Sequence, residues 1–448
     1  MTLATLSSGK SAPTSGREQL RTAADRVPDV RHGRNGDRLT RQVRVGARVG
    51  VSEMQAQPGV PQDPVRAWWM SRLRGGNLTS NGTGRLRVVD LFSGVGGLSL
   101  GARSAATALG HVLEPVLAVD TDTSALKVYQ QNFPGGRLLD RSMAELVDHT
   151  VHDRGSDAWF PYDPEVIDAD IEGLVGAVDL VLAGPPCQGH SNLNNRTRRE
   201  DPRNELYLDA VGFAVAVKAP MVVIENVASI RADRTQVLDT AVALLEKSGY
   251  HVSQAVLKAD ALHGAQTRHR HFLVATFGVH AGVDEVAERL GAEGDTRLTI
   301  WDVIGDLEDV EPDHFMDEVP VLSQENQERV NYLHDQGVHE LPDDRRPDCH
   351  RDGHSYPAVY GRLYQDKPAP TITTGFMTPG RGRYVHPTRR RVITPREAAR
   401  VQGFPDSFDF SLDEAAPSRK LLAKWIGDAV PCVLGHTAVM AALTSLEP

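Results

Sequence analysis

From Leu86 onward, short apolar runs alternate with stretches of helical periodicity, and this alternation restricts the possible folds more than any other feature of the chain. Strands are expected at Arg87 to Phe92, Pro115 to Asp120, Asp179 to Ala183, Met221 to Ile224 and Arg270 to Thr276. Helices are expected at Leu98 to Leu109 and Ser124 to Asn132. Continuous apolar runs suit strands covered on both faces, and parallel neighbours need a helical crossover between them. The pattern predicts an α/β fold with a doubly wound, mostly parallel sheet. Ligands bind such sheets beyond the carboxyl ends of the strands, and every chemically suggestive motif here falls at such an end.

The first strand runs into Asp90-Leu91-Phe92-Ser93-Gly94-Val95-Gly96-Gly97, a glycine turn opening a helix, which suits a nucleoside-bearing cofactor. It lacks both the Gly-x-Gly-x-x-Gly spacing and a P-loop lysine. Asp120 ends the second strand, where a carboxylate can accept from ribose hydroxyls; Thr121 or Asp122 can cap the next helix. Gly184-Pro185-Pro186-Cys187-Gln188-Gly189-His190-Ser191 sets a cysteine on a turn stiffened by two prolines, a place for a nucleophile. Glu225, in Ile224-Glu225-Asn226-Val227, leaves a buried strand, and burial raises a carboxyl pKa toward proton donation at neutral pH. In Gln266-Thr267-Arg268-His269-Arg270, a spacing of two puts Arg268 and Arg270 on one strand face, able to present two guanidinium groups to an anion or a carbonyl oxygen.

The 448 residues carry a formal net charge of −10, distributed unevenly. Residues 1–84 hold 13 Lys and Arg against 6 Asp and Glu, and the remainder 36 against 53. An acidic body would need local basic clusters to bind nucleic acid, such as Arg196 to Arg199, Gln266 to Arg270, Arg381 with Arg383, and Arg389 to Arg391. Three widely spaced cysteines, Cys187, Cys349 and Cys432, argue against a disulfide framework or a zinc cluster and for a reducing, cytoplasmic setting. The pattern offers no membrane span or secretory segment. Residues 1–84, rich in Gly, Ser, Thr, Pro and Arg, read as a disordered or weakly ordered basic leader, with Met54 or Met70 as alternative starts. Residues 85–309 form the expected main domain, 310–385 a second, smaller one, and 386–448 helices that complete the first.

Taken in order, these motifs resemble those of the cytosine-5 DNA methyltransferase family, and the resemblance runs from about Leu86 to the C-terminus. It implies a class I, Rossmann-like methyltransferase fold with a small target-recognition domain, S-adenosylmethionine as cofactor and duplex DNA as substrate. The resemblance makes Cys187, Glu225, Arg268 and Arg270 catalytic: a Cys187 thiolate favoured by a neighbouring arginine adds to carbon 6 of a flipped cytosine, Glu225 serves N3, Arg270 grips the carbonyl oxygen and Arg268 braces the cysteine turn. Asp90, Phe92, Gly94, Val95, Gly97, Asp120, Thr121, Pro186 and Leu206 fall on cofactor positions. The adenine-side acid is Asp140 or Asp170, with Asp140 favoured by its short interval after Asn132-Phe133-Pro134. Arg396 to Pro405 is similar to the helix that buttresses the recognition domain, and Ser191 to Arg203 to a loop that closes over DNA. In Ile426-Gly427-Asp428-Ala429-Val430-Pro431, which contributes Asp428 and Ala429 to the cofactor pocket, Asp428 stands where the family has Asn. Relatives that act on tRNA share the Pro-Pro-Cys-Gln turn; the segment from Gln266 to Arg396, with its candidate recognition domain, favours DNA. A catalytically silent DNA-reading module is opposed by the intact Cys187, Glu225 and Arg270. Thr371 to Thr374 and Gly380 to Tyr384 are expected on backbone phosphates. A monomer is expected, with a cognate restriction endonuclease as a possible partner.

Overall fold

The computed structural model describes residues 23–80, 82–186, 205–293, 297–351, 358–413 and 415–446. The described chain opens with an antiparallel meander, β1 (Asp29–Asn35), β2 (Arg38–Val45) and β3 (Arg48–Gln55), then α1 (Pro64–Leu73) and β4 (Thr79–Ser80), which pairs with β3. The main layer follows as β5 (Gly84–Leu91), α2 (Gly97–Ala108), β6 (His111–Val119), α3 (Thr123–Asn132) and β7 (Arg137–Leu139). A small excursion carries β8 (Val147–Asp148) and β9 (Glu165–Val166) before β10 (Leu180–Ala183), α4 (Leu206–Ala216), β11 (Met221–Val227) and α5 (Val237–Lys247). The sheet closes with β12 (His251–Lys258) and β13 (His269–Thr276). Its order is β12-β13-β11-β10-β5-β6-β7. Strands β10, β11, β5, β6 and β7 pair in parallel, and β13 enters antiparallel between β11 and β12.

The apolar runs expected as strands are here, and Val88, Val89, Leu91, Leu180 to Ala183 and Val222 to Ile224 are fully buried between helical layers. One of those layers includes α2 and α11 (Cys432–Leu443), the other α4 and α5. Together α10 (Arg419–Asp428) and α11 are long and apolar enough to cross a membrane, but most of that stretch is buried and forms core.

Residues 29–80 correct the expected leader. In β2 the inward positions are Leu39, Arg41, Val43 and Val45, all buried, and Leu39, Val43 and Val45 join the same apolar cluster as α2 and α11. Arg41 reads as a surface charge in sequence, yet its guanidinium lies 3.2 Å from His436 Nε2 and 5.5 Å from the Trp69 ring centroid. An arginine stacked on an aromatic ring is a core residue in effect. Arg26 also reaches across to donate to the Thr444 carbonyl at 3.1 Å. Met54 and Met70 are buried in this module, so a start at either would delete strands that the core uses.

Beyond the sheet come α6 (Val283–Gly291), α7 (Ile300–Ile304), α8 (Gln324–Asp335) and α9 (Pro395–Gln402). The expected second domain is smaller than 310–385: its own apolar cluster is Val330, Leu333, Leu341, Val359, Tyr360 and Val385. Ile372, Phe376 and Tyr384 belong to the main core, and the 369 segment runs beside residues 265–267, with Thr267 N donating to Ala369 O at 2.8 Å. At α9, Thr394 caps the helix and Glu397 is wholly buried, accepting a bidentate pair from Arg391 at 2.7 and 2.8 Å beside His386. These partners hold the Glu397 carboxyl down at about 2 despite its burial.

Candidate active site

Strand register draws the site as a line across the sheet. Leu139, Val119, Leu91, Ala183 and Ile224 are successive neighbours on β7, β6, β5, β10 and β11. The residues that follow them are Asp140, Asp120, Phe92, Gly184 and Glu225, so one rim carries them in that order. Asp140 is exposed at its end of the rim. Asp170 lies elsewhere, in ion pairs with Arg137 at 3.3 Å and Arg141 at 3.8 Å.

The glycine turn follows from backbone need. Phe92, Gly94 and Gly96 have φ of 57°, 52° and 94°, a region that glycine enters without strain and phenylalanine does not. Gly94 N donates to Asp120 Oδ2 and Asp122 N to Oδ1, both at 2.8 Å, which ties the turn to the end of β6. Each Asp120 oxygen keeps a lone pair for another donor. A Cβ on Gly94 would meet nothing within 4 Å, so bare backbone faces an open cleft at the N-terminus of α2. Gly97 has a packing role, since a Cβ there would lie 3.0 Å from Val430 O and 3.1 Å from the Ala429 side chain.

Two expected cofactor contacts turn inward. Asp90 is 1% exposed and accepts from Ser99 Oγ at 2.6 Å; Val95 is 3% exposed and packs in the core. A side chain with no open surface in a ligand-free cleft has none to offer a ligand. Burial raises the Asp90 carboxyl to about 7, and the Asp120 charge adds to the rise. Thr121 is exposed on the rim, and Pro186 and Leu206, the first residue of α4, are half-buried. Asp428 is exposed at the end of α10, with Ala429 half-buried after it.

On the other side of Gly184, Glu225 is buried and its Oε1 lies 2.9 Å from Arg270 Nε. Burial raises its pKa, while Arg270 and Arg268 oppose the rise. A Cβ on Gly184 would sit 3.9 Å from Glu225 Oε2 and 3.9 Å from Phe92 O, so glycine leaves the space between the turn and the acid open. Asn226 Nδ2 donates to Pro185 O at 3.4 Å, holding the start of the proline turn. Cys187 and the loop Ser191 to Arg203, with Arg196 to Arg199, lie outside the described residues.

Arg268 and Arg270 both act on the Glu225 carboxyl but differ in their hydrogen bonds. Arg268 is buried and donates to Ile372 O at 2.8 Å and Gly427 O at 2.9 Å, clamping the 372 segment to the end of α10. Gln266 donates to Gln402 Oε1 at 2.7 Å, extending the clamp to α9. The other basic clusters are partly spent within the fold. Arg383 pairs with Glu340 at 2.6 Å, Arg390 with Asp335 at 2.7 Å and Arg389 with Glu308 at 3.5 Å, while Tyr384 is buried against Thr373.

Sequence reasoning missed Lys424 and Tyr207. Lys424 Nζ lies 3.4 Å from Asp122 and 3.8 Å from Asp428, bridging the two sides of the cleft mouth. Its i, i+4 spacing to Asp428 was the available signal. Tyr207, in the first turn of α4, is fully buried, and its hydroxyl has no hydrogen-bond partner among the described residues. In sequence it reads as one more apolar position.

A seven-stranded sheet with one reversed strand, a glycine turn after β5 and an acid after its neighbour β6 define a class I methyltransferase. Residues 86–443 match the C-5 cytosine-specific DNA methylase family, and the chain belongs to it. It catalyses methyl transfer from S-adenosylmethionine to carbon 5 of cytosine in DNA. Type II methyltransferase M1.BsuMI of Bacillus subtilis (strain 168) is 38% identical over 355 residues, 79% of each chain. Type II methylase M.HgiDII of Herpetosiphon aurantiacus is 32% identical over 372 residues, covering 80% of this chain and 96% of its own. A prophage-encoded E. coli protein described as a DNA modification methyltransferase superposes with a TM-score of 0.53 at 22% identity, over 81% of this chain and all of its own, a likeness of fold.

Proposed function

We propose that the rim from Asp140 to Glu225 is the catalytic centre, with the cofactor on the Asp120 side of Gly184 and the target cytosine on the Glu225 side. The observation that carries this is the register, which sets the glycine turn and the buried acid on either side of the short turn that leads into Cys187. The cleft fits S-adenosylmethionine: open backbone at Gly94, a helix N-terminus, and Asp120 with lone pairs to spare. Asp120 holds the ribose hydroxyls, Asp140 the adenine side, and Phe92, Pro186 and Leu206 pack the nucleoside. Thr121, Asp428 and Ala429 edge the pocket. When bound, the cofactor supplies an electrophilic methyl group.

Carbon 5 of cytosine is a poor nucleophile until a thiolate adds to carbon 6 and moves the ring's π electrons toward carbon 5 and N3. Cys187 is that nucleophile. Glu225 serves N3 as electron density arrives there, and burial raises the carboxyl's pKa in the direction that favours donating a proton, against the pull of Arg270 and Arg268. Arg270 holds Glu225 in place and meets the ring's carbonyl oxygen. Once carbon 5 carries the methyl group, its proton leaves to water, the C–H electrons re-form the C5–C6 double bond, the C6–S bond breaks to release the Cys187 thiolate, and N3 returns its proton to Glu225. The target must leave the duplex stack to reach this depth.

The enzyme acts in the cytoplasm as a monomer on duplex DNA, alongside a cognate restriction endonuclease, as the Type II names of its relatives suggest. Incubation with labelled S-adenosylmethionine is expected to mark duplex DNA and leave tRNA unmarked, with Cys187→Ala abolishing transfer but retaining cofactor binding. Turnover by that variant, or labelling of tRNA alone, would overturn the proposal. Bisulfite sequencing of DNA from expressing cells gives the recognition sequence.

A further inference from the structure

Residues 29–80 lie ahead of the residues that match the family, and the catalytic reading gives them no part beyond the core. Their helix α1 ends in a charged joint. Leu73 O, at the end of α1, accepts from Asp406 N at 2.8 Å, just past α9. The next residue, Arg74, has a side chain only 10% exposed. It donates to Pro58 O at 2.6 Å within its own module and lies 3.2 Å from Asp306 Oδ1, in the turn after α7. Earlier in α1, Arg66 pairs with Asp302 of α7.

Asp306 is shared. Arg400 Nη1, from α9, lies 2.7 Å from the same oxygen, and the rest of that guanidinium forks onto Asp406 at 2.8 and 2.6 Å. Arg400 is 3% exposed, and pairs so far from water are screened less than surface pairs. One carboxylate therefore joins α1 through Arg74 and α9 through Arg400 to the turn that follows α7.

Two of these elements frame the small apolar cluster, α7 preceding it and α9 following it. The connectors between them and the cluster are also tied together. Thr388 Oγ1 donates to Glu308 at 2.5 Å, Arg389 Nε lies 3.5 Å from the same carboxylate, and Arg396 of α9 forks onto Asp317 at 2.6 and 2.8 Å. A domain held at such a neck turns with it, so contacts that fix α7 against α9 fix its angle to the main body.

We propose that residues 29–80 are a strut for DNA recognition, in which Arg74 is a positioning residue: through Asp306 and Arg400 it holds the small domain at the angle that meets duplex DNA. The proposal rests on duplex DNA as substrate and on this domain as the part that recognises it. A domain free to take several angles binds only from the competent one, so the apparent Kd rises as that fraction falls. The contacts of Arg74 are Pro58, Asp302 and Asp306, none of them on the rim, so catalysis and cofactor binding are left as they are.

The test compares wild type, Arg74→Met and Arg74→Lys on a duplex carrying the mapped site. Arg74→Met is expected to raise the duplex Kd, by fluorescence anisotropy, and the duplex KM about fivefold or more, with kcat and the calorimetric Kd for S-adenosylmethionine within about twofold of wild type. Arg74→Lys keeps the charge without the fork and should recover part of the loss. An unchanged duplex Kd in Arg74→Met, or a loss of cofactor affinity as large as the loss of DNA affinity, would overturn the strut. If Arg74→Met does not fold, Arg66→Gln takes its place, and a duplex Kd within about twofold of wild type then overturns the proposal. Wild type that methylates tRNA and not duplex DNA would instead overturn the reading of the substrate beneath it.

Discussion

Asp90→Asn tests whether the acid before the glycine turn serves the cofactor or the fold. The carboxyl is buried, accepts from both the hydroxyl and the backbone N–H of Ser99 and titrates at about 7, against 3.8 in an open chain. A folded-state pKa above the unfolded one means that the group's contribution is fully present below pH 3.8 and is lost as pH rises through 7. The loss amounts to about 4 kcal/mol once both states are ionised, and about half of it has accrued near pH 5.5. Asparagine keeps an acceptor for Ser99 and never ionises. Urea denaturation should therefore show the variant gaining about 2 kcal/mol on wild type between roughly pH 5.5 and 8.5. Calorimetry should show S-adenosylmethionine affinity within about twofold of wild type. A variant whose deficit is the same at both pH values, or one that loses cofactor binding tenfold, would refute an internal role for Asp90.

Glu397→Gln should destabilise by about 3 kcal/mol near neutrality, because the paired carboxyl sits at about 2 instead of 4.5; the deficit should shrink as pH falls below 4.5 toward 2, read by denaturation at each pH. Deleting residues 1–83 should give an insoluble or unfolded protein, since Leu39, Val43, Trp68 and Met70 lie in the main core; a soluble, active truncation by circular dichroism and methyl transfer would contradict this. Glu225→Gln should lower kcat by about a hundredfold or more while leaving cofactor affinity unchanged in calorimetry.

Much of this was legible because the parallel strands are buried on both faces. Val88, Val89, Leu180 to Ala183 and Met221 to Ile224 announce themselves as unbroken apolar runs, and the acids and glycines that end those runs mark the rim. The edge strand β12, His251–Lys258, was missed because it is half-exposed and carries no such run. The N-terminal meander was missed for a different reason: arginines fill both its faces. Arg38 and Arg44 are exposed while Arg41 is buried against His436 and Trp69, so a count of charges reads as a solvated tail what is folded core. Within the expected 310–385 domain, Ile372, Phe376 and Tyr384 pack into the main core while Val385 packs with the small cluster, an interleaving that a poorly periodic stretch does not announce. The roles of Arg268 and Asp90 depend on which way a side chain turns, and spacing alone is silent on that once a residue is buried.

The central claim is a covalent bond between one sulfur and the target ring, and a duplex carrying 5-fluorocytosine at the mapped site tests it directly. Fluorine replaces the hydrogen that must leave carbon 5, so the ring should stay attached to the protein once methylated. A complex that resists denaturation, forms only with S-adenosylmethionine present and carries the DNA on Cys187 by peptide mass spectrometry is the predicted result. An enzyme that methylates normal duplex yet forms no such complex, or attaches the DNA at Cys349 or Cys432, would contradict it.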